Sequence, residues 1–178
     1  MDNFIVVTGG PGSGKTSLVD ALAASGLRCM AEAGRAIIRD QSAIGGTALP
    51  WADRAAFAEQ MLGWDMRSHH IAGETAAPVI FDRGIPDIIG YLRLCGLPVP
   101  THMIRAARHF RYCRRVFIAP FWPAIFTQDA ERRQDADEAR ATHDAMAEIY
   151  RELGYELIPL PLAPIADRVA FMREAIGA

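Results

Sequence analysis

The chain has 178 residues, of which 51% are hydrophobic and 22% are charged, and its formal net charge is −2. This size and composition predict one globular domain that folds without disulfides or a structural metal, and the small negative charge argues against a general binder of nucleic acid or membrane surfaces. The three cysteines lack metal-ligand spacing, and no segment resembles a secretion signal or a membrane span, so we expect a reduced, cytoplasmic protein.

Five short apolar runs alternate with helical segments along the chain. The predicted strands cover residues 3–8, 27–31, 78–82, 115–119 and 155–159. The predicted helices cover residues 17–24, 32–41, 52–71, 86–95, 102–110, 136–153 and 164–176. Residues 121–135 fit neither pattern. Strands that alternate with helices predict an α/β fold with a doubly wound, five-stranded parallel sheet and helices on both faces.

The most specific motif follows the first strand. Residues 9–16 read Gly-Gly-Pro-Gly-Ser-Gly-Lys-Thr, which matches the G-x-x-x-x-G-K-[ST] phosphate-binding loop, and Lys15 is the single lysine of the chain. In such a loop backbone N–H groups surround phosphate oxygens, the lysine reaches the β- and γ-phosphates, and the threonine hydroxyl coordinates Mg²⁺. The residues predicted to bind the triphosphate of ATP are Gly10, Pro11, Gly12, Ser13, Gly14, Lys15, Thr16 and Ser17.

Acidic residues that end the second and third strands are the next candidates, because ligands bind at the carboxyl edge of such a sheet. Asp82 ends the third strand, where a buried strand can deliver a carboxylate to Mg²⁺; the alternative is a helix-capping aspartate before Gly84. Glu32 ends the second strand. It is either an acid that faces the acceptor substrate or a first-turn helix carboxylate paired with Arg35.

A charged stretch over residues 129–138 contains Arg132 and Arg133. Phosphoryl transfer benefits from a mobile arginine that closes over the developing charge. A charge run is also typical of a solvated helix face. The residues leave both interpretations open for this segment.

Several of these segments together resemble a known family. They are the loop at residues 9–16, Glu32-Ala-Gly-Arg35, Phe81-Asp82-Arg83-Gly84 with the following Asp87 and Tyr91, and residues 154–159. They resemble the small AAA-labelled P-loop ATPase domains, which are similar to nicotinamide riboside kinases and, more distantly, to deoxynucleoside and thymidylate kinases. The resemblance spans nearly the whole chain.

The resemblance implies roles for individual residues and a small lid over about 121–140. Lys15 and Thr16 would lie at the phosphates and Mg²⁺, and Asp82 at the metal or the acceptor. Arg83 would lie near the phosphates or the acceptor, and Arg132 or Arg133 in the lid. The segment from Asp129 to Arg132 has the spacing of the family's lid but lacks its usual glycine.

The leading functional hypothesis is an ATP- and Mg²⁺-dependent phosphotransferase that acts on a small, nucleoside-like or other metabolite. The alternative is a nucleotide-dependent ATPase switch or a regulatory binding module without a small-molecule acceptor. A nucleic-acid kinase is disfavoured, because the net charge of −2 offers no basic surface for a polyanion.

Overall fold

The computed structural model describes residues 3–125 and 136–178. Its strands are β1 (Phe4–Gly9), β2 (Arg28–Met30), β3 (Val79–Asp82), β4 (Arg115–Ala119) and β5 (Glu156–Pro159). Its α-helices are α1 (Lys15–Ala24), α2 (Ala33–Ile44), α3 (Arg54–Ala72), α4 (Ile85–Leu94), α5 (Thr101–His109), α6 (Ala136–Glu152) and α7 (Ile165–Ile176). The predicted strands and helices are confirmed within a few residues at their ends. A short 3₁₀ turn, Pro123–Ile125, falls in the stretch that fitted neither pattern.

The five strands form one parallel sheet in the order β2-β3-β1-β4-β5, which confirms the predicted α/β class. The chain leaves β1 toward β2 on one side and later returns to β4 on the other side, so the winding direction reverses at β1. In open sheets of this kind the crevice for ligands lies at that reversal, beyond the carboxyl ends of the strands. Val7 of β1 is aligned with Asp82 of β3, so Asp82 ends beside the loop that follows β1.

Successive side chains of β1 point to opposite faces of the sheet, and each face has its own hydrophobic core. Phe4 and Val6 point toward the layer that contains α3, α4, α5 and α6. Ile5 and Val7 point to the opposite face, which α1 and α7 cover. Each fully buried side chain of this size contributes about 1.5–3 kcal/mol. Covered on both faces, β1 and β3 provide a rigid base for the residues that follow them.

In the part of the chain that the structure describes, no helix combines the length and the apolar character that a membrane crossing requires. Cys29, Cys95 and Cys113 are free and only partly exposed.

Candidate functional site

The loop between β1 and α1 is packed closely against neighbouring backbone. Gly14 has φ 75, a left-handed conformation that glycine adopts without steric cost. A Cβ on Gly10 would overlap the carbonyl oxygen of Ala139 in α6. These glycines are therefore required by the backbone path and by the approach of α6, which fixes the shape of the loop.

Lys15 is buried, with 7% of its surface exposed, and its ammonium group points into the loop. Nζ donates hydrogen bonds to the carbonyl oxygen of Gly10 at 2.5 Å and to Oγ of Ser13 at 3.2 Å. Burial, and then the charge of Arg83, lowers the pKa of Lys15 to about 7 despite three carboxylates nearby. An anion inside the loop would oppose both effects and restore the charge on this group.

The first turn of α1 begins at Lys15, so its amino-terminal N–H groups lie in the same loop. These groups and the helix dipole favour an anion at this position. Thr16 is partly buried and Ser17 is exposed in this turn. The structure thus places the predicted loop residues, Gly10 to Ser17, in one turn and the first turn of α1, and their role in binding an anion stays a prediction.

Asp82 ends β3 with its carboxylate beside the loop. The residue is 8% exposed, and its Oδ1 is buried without a hydrogen-bond partner. Burial, and then the charge of Glu32, raises the pKa of Asp82 to about 6. The helix-capping interpretation of Asp82 is wrong, because α4 begins at Ile85 and the N–H of Gly84 donates instead to Oδ2 of Asp87 at 3.0 Å.

Arg83 connects three segments of the site. Its Nε donates to Oε1 of Glu32 at 3.1 Å, and its Nη1 donates to the carbonyl oxygen of Gly9 at 3.2 Å and to Oδ1 of Asp87 at 3.1 Å. Its backbone has φ 73, and it is the one non-glycine with positive φ among residues 3–125 and 136–178. Such a conformation costs on the order of 1–3 kcal/mol and persists only where the surroundings enforce it. These three contacts supply that enforcement.

Of the two interpretations that the sequence left open for Glu32, the ion pair with Arg35 is present, and the acceptor-facing role stays a prediction. Oε2 of Glu32 lies 3.6 Å from Nε of Arg35, which is the predicted i,i+3 pair. The contact to Arg83 is shorter and turns the carboxylate toward the loop. Burial alone would raise the pKa of Glu32, but the charges of Arg83, Lys15 and Arg35 outweigh it and lower the pKa. Glu32 is therefore an ionised hydrogen-bond acceptor at the carboxyl end of β2.

Asp87 joins the site to the core, and the residue patterns alone did not single it out. Its Oδ1 accepts from Oγ1 of Thr8 at 2.5 Å, and its Oδ2 accepts from Oη of Tyr150 at 2.7 Å. With Arg83 and the N–H of Gly84, this buried carboxylate has four donors. Its signals in the sequence are an acid inside the apolar run Ile-Pro-Asp-Ile-Ile and its place in the family resemblance, which assigned it no role.

An apolar cluster beside Glu32, where α2, α3 and α4 meet, was not predicted either. Phe57 and Met61 of α3 pack toward α2, and the ring of Phe57 lies 5.6 Å from that of Tyr91 in α4. Asp65 is one further turn along α3, and among the described residues it makes no hydrogen bond or ion pair. Burial, and then the charge of Asp87, raises the pKa of Asp65 to about 8. This carboxyl group therefore keeps its proton to a higher pH than an exposed aspartate does, and in the protonated form it can donate a hydrogen bond.

Arg132 and Arg133, the predicted lid arginines, lie outside the described residues. The segments on either side of them approach the loop. Cδ1 of Ile125 would lie 3.1 Å from a Cβ on Gly14, and α6 contacts Gly10 through Ala139.

Two open cavities occur elsewhere on the surface. One, of about 440 Å³, lies near Asn3 and Arg115 at the amino-terminal edge of the sheet. The other, of about 690 Å³, lies between α3 and α5. Neither of these two includes a residue of the loop or of the charged cluster, and the candidate site is identified by its chemistry and its place in the sheet.

Known structures share this fold. The NadR protein in complex with NR superposes with a TM-score of 0.72 at 18% identity, over 99% of this chain and 52% of that one. Deoxyadenosine kinase from M. mycoides, with its products dCMP and dCDP bound, superposes with a TM-score of 0.66 at 10% identity, over 98% of both chains. The chain thus spans about half the length of the NadR chain and nearly all of the kinase. At such low identities these similarities establish the fold.

Sequence comparison identifies the family. No curated protein sequence matches the chain. The family model described as "AAA domain" matches residues 4–168, which include the loop, Glu32 and the Asp82-Arg83 pair. Because this match covers most of the chain, the protein belongs to the AAA domain family of P-loop proteins.

Proposed function

We propose that this protein is an ATP- and Mg²⁺-dependent phosphotransferase whose acceptor is a small, nucleoside-like metabolite. The observation that carries the proposal is a charged cluster at the carboxyl edge of the sheet. Lys15 lies in the loop and Asp82 ends beside it, and Glu32, which Arg83 contacts, lies next to the apolar cluster of α2, α3 and α4. The cluster therefore stands between a predicted triphosphate site and a second, partly apolar binding region.

The loop side would hold the nucleotide. The N–H groups of α1 and the ammonium of Lys15 are directed at one volume, where phosphate oxygens would replace the carbonyl of Gly10 as partner of Nζ. The fold shared with a NadR complex that contains NAD and AMP-PNP supports this assignment (TM-score 0.68, 17% identity).

The residues present also fit a magnesium ion. Asp82 offers a buried carboxylate oxygen without a partner, and Thr16 offers a hydroxyl from the loop. Mg²⁺ favours oxygen ligands and keeps several waters and phosphate oxygens, so two protein groups suffice. When bound, the ion neutralises phosphate charge. Asp82 would then remain ionised and orient the nucleotide.

The side of Glu32 and the apolar cluster would hold the acceptor. Glu32 is ionised and fixed by Arg83, so it can accept a hydrogen bond from the attacking hydroxyl and aim that oxygen at the γ-phosphate. Phe57, Met61 and Tyr91 would pack against a ring, and protonated Asp65 would donate a hydrogen bond to the acceptor. Arg132 or Arg133 would supply the lid arginine in this scheme.

The test is acceptor-dependent release of ADP. Protein with ATP and Mg²⁺ is assayed alone and with a panel of nucleosides, nucleotides and ribosylated vitamins. We expect one class of acceptor to raise the rate, and Lys15→Ala to lower that rate by about 100-fold or more, since it removes a cation that stabilises the transferring phosphoryl group. Arg151→Ala, at an exposed position of α6, is the control.

The outcomes separate the two leading hypotheses. Release of ADP at the same rate with and without every acceptor would favour the ATPase switch. Full activity of Lys15→Ala would contradict the assignment of the loop.

A further inference from the structure

Arg168 of α7 is a buried cation that the proposed mechanism does not use. It is 1% exposed and is among the largest fully buried side chains. Its Nη1 donates to the carbonyl oxygen of Ser13 at 3.1 Å, and its Nε is buried without a partner. Among the described residues no carboxylate forms an ion pair with it, and burial lowers its pKa with no opposing charge.

This arrangement is unfavourable for a guanidinium in isolation. Buried charges in proteins are normally paired, because desolvation costs several kcal/mol per ion. The same molecule shows the usual solution at Arg83, which contacts both Glu32 and Asp87. Arg168 lacks such partners, so its compensating charge has to come from outside the described residues.

The position of Arg168 indicates where that charge belongs. Its Nη1 would lie 2.9 Å from a Cβ on Gly14, so the guanidinium rests against the Ser13–Gly14 peptide of the phosphate-binding loop. In a trans peptide the C=O and N–H bonds point in opposite directions. A carbonyl held toward Arg168 therefore turns the N–H of Gly14 away from it, toward the interior of the loop.

We propose that Arg168 is a positioning residue for the nucleotide: it orients the Gly14 N–H toward the triphosphate, whose negative charge in turn compensates the buried guanidinium. The inference rests on the proposed function, since it requires that the loop binds a nucleoside triphosphate. It assigns a role in binding to α7, a helix that carries no part of the phosphate-binding motif.

The test compares three variants by calorimetric titration with ATP and Mg²⁺ and by thermal unfolding with and without the nucleotide. Arg168→Met removes the charge and keeps a linear side chain. Arg168→Lys keeps the charge but lacks the planar guanidinium group with its several N–H donors. Arg173→Met is the matched control, because Arg173 lies on the same helix and donates to the carbonyl and hydroxyl oxygens of Ser25, away from the loop.

We expect Arg168→Met to raise the Kd for ATP by about tenfold, a change typical of losing one charge-assisted contact. Without nucleotide, the Arg168→Met variant should unfold at the same temperature as wild type or higher, because an unpaired buried charge is gone. Adding ATP should raise the Tm of this variant by less than it raises the Tm of wild type. Arg168→Lys should recover part of the affinity, and Arg173→Met should bind as wild type does.

The Kd for ATP of the Arg168 variants decides whether the inference holds. Wild-type Kd values in both Arg168 variants, with or without a lower Tm, would show that Arg168 only supports the fold and would overturn the inference. If the Met variant does not fold, the Lys variant alone decides by the same criterion. If the wild-type protein itself does not bind ATP, the proposed function fails first and this inference fails with it.

Discussion

Replacing Asp82 by asparagine should stabilise the free protein while it impairs turnover. Asp82 is buried without a hydrogen bond to Oδ1, and its pKa is raised from 3.8 to about 6. As the pH rises, the unfolded chain ionises this group first, so the folded state loses stability from about pH 4 until the folded group has ionised above about pH 6. A shift of this size corresponds to about 3 kcal/mol at neutral pH.

Thermal unfolding in the presence of EDTA measures this effect. For a chain of this length, about 3 kcal/mol raises the Tm by roughly 6–12 °C. Asp82→Asn should therefore be more stable than wild type at pH 7.5 and equally stable at about pH 3, where both states of the wild-type protein carry a mostly neutral carboxyl group. Asp40→Asn, at an exposed position of α2, should show no such pH-dependent gain.

The same variant should lose turnover to a greater extent than affinity for ATP, because asparagine cannot supply an anionic ligand to Mg²⁺. A Tm for Asp82→Asn below that of wild type at pH 7.5, or a gain of the same size at about pH 3, would refute the electrostatic reasoning. Unchanged Mg²⁺-dependent turnover would refute the role of Asp82 in the reaction.

Two substitutions test the packing around the site by urea unfolding. Gly10→Ala should lower the free energy of unfolding by about 2 kcal/mol, because its Cβ overlaps the carbonyl of Ala139. The control is Gly63→Ala, in open space on α3, which should raise the free energy of unfolding by about 0.5–1 kcal/mol. Equal effects of the two substitutions would contradict the close approach of α6 to the loop. Tyr150→Phe should cost about 1–2 kcal/mol, because buried Asp87 loses the donor at 2.7 Å. An unchanged unfolding free energy would mean that the other donors satisfy Asp87 alone.

The parts of the site that the sequence predicted follow local rules. An apolar strand, a glycine-rich turn and a helix start are encoded within residues 4–24. The position of Asp82 beside this turn also follows from the sequence, since parallel strands end at one edge of the sheet. The strand order could not be read, because it depends on contacts between distant residues, such as the pairing of Val7 with Asp82.

The residues that the sequence missed are charged groups on helices. Arg168 occurs in Ile-Ala-Asp-Arg-Val, where an arginine is normally solvated, and its contact with Ser13 spans 155 positions of the chain. Asp65 follows Met61 by one turn on α3 and has the pattern of an exposed acid. Burial of such side chains is decided by how helices pack on the sheet, and the helical period does not contain that information.

The charged groups of the site divide by whether the protein itself satisfies them. Arg83 contacts both Glu32 and Asp87 at 3.1 Å, so these three charges compensate one another without a ligand. Lys15 and Asp82 form no ion pair within 4 Å in the described part of the chain, and their pKa values move toward each other, to about 7 and about 6. A magnesium–triphosphate complex brings an anion to the first and a cation to the second. A single metal–nucleotide complex therefore offsets the cost of burying the charge of Lys15 and the cost of burying the charge of Asp82. This complementarity favours binding of the complex over binding of either component alone.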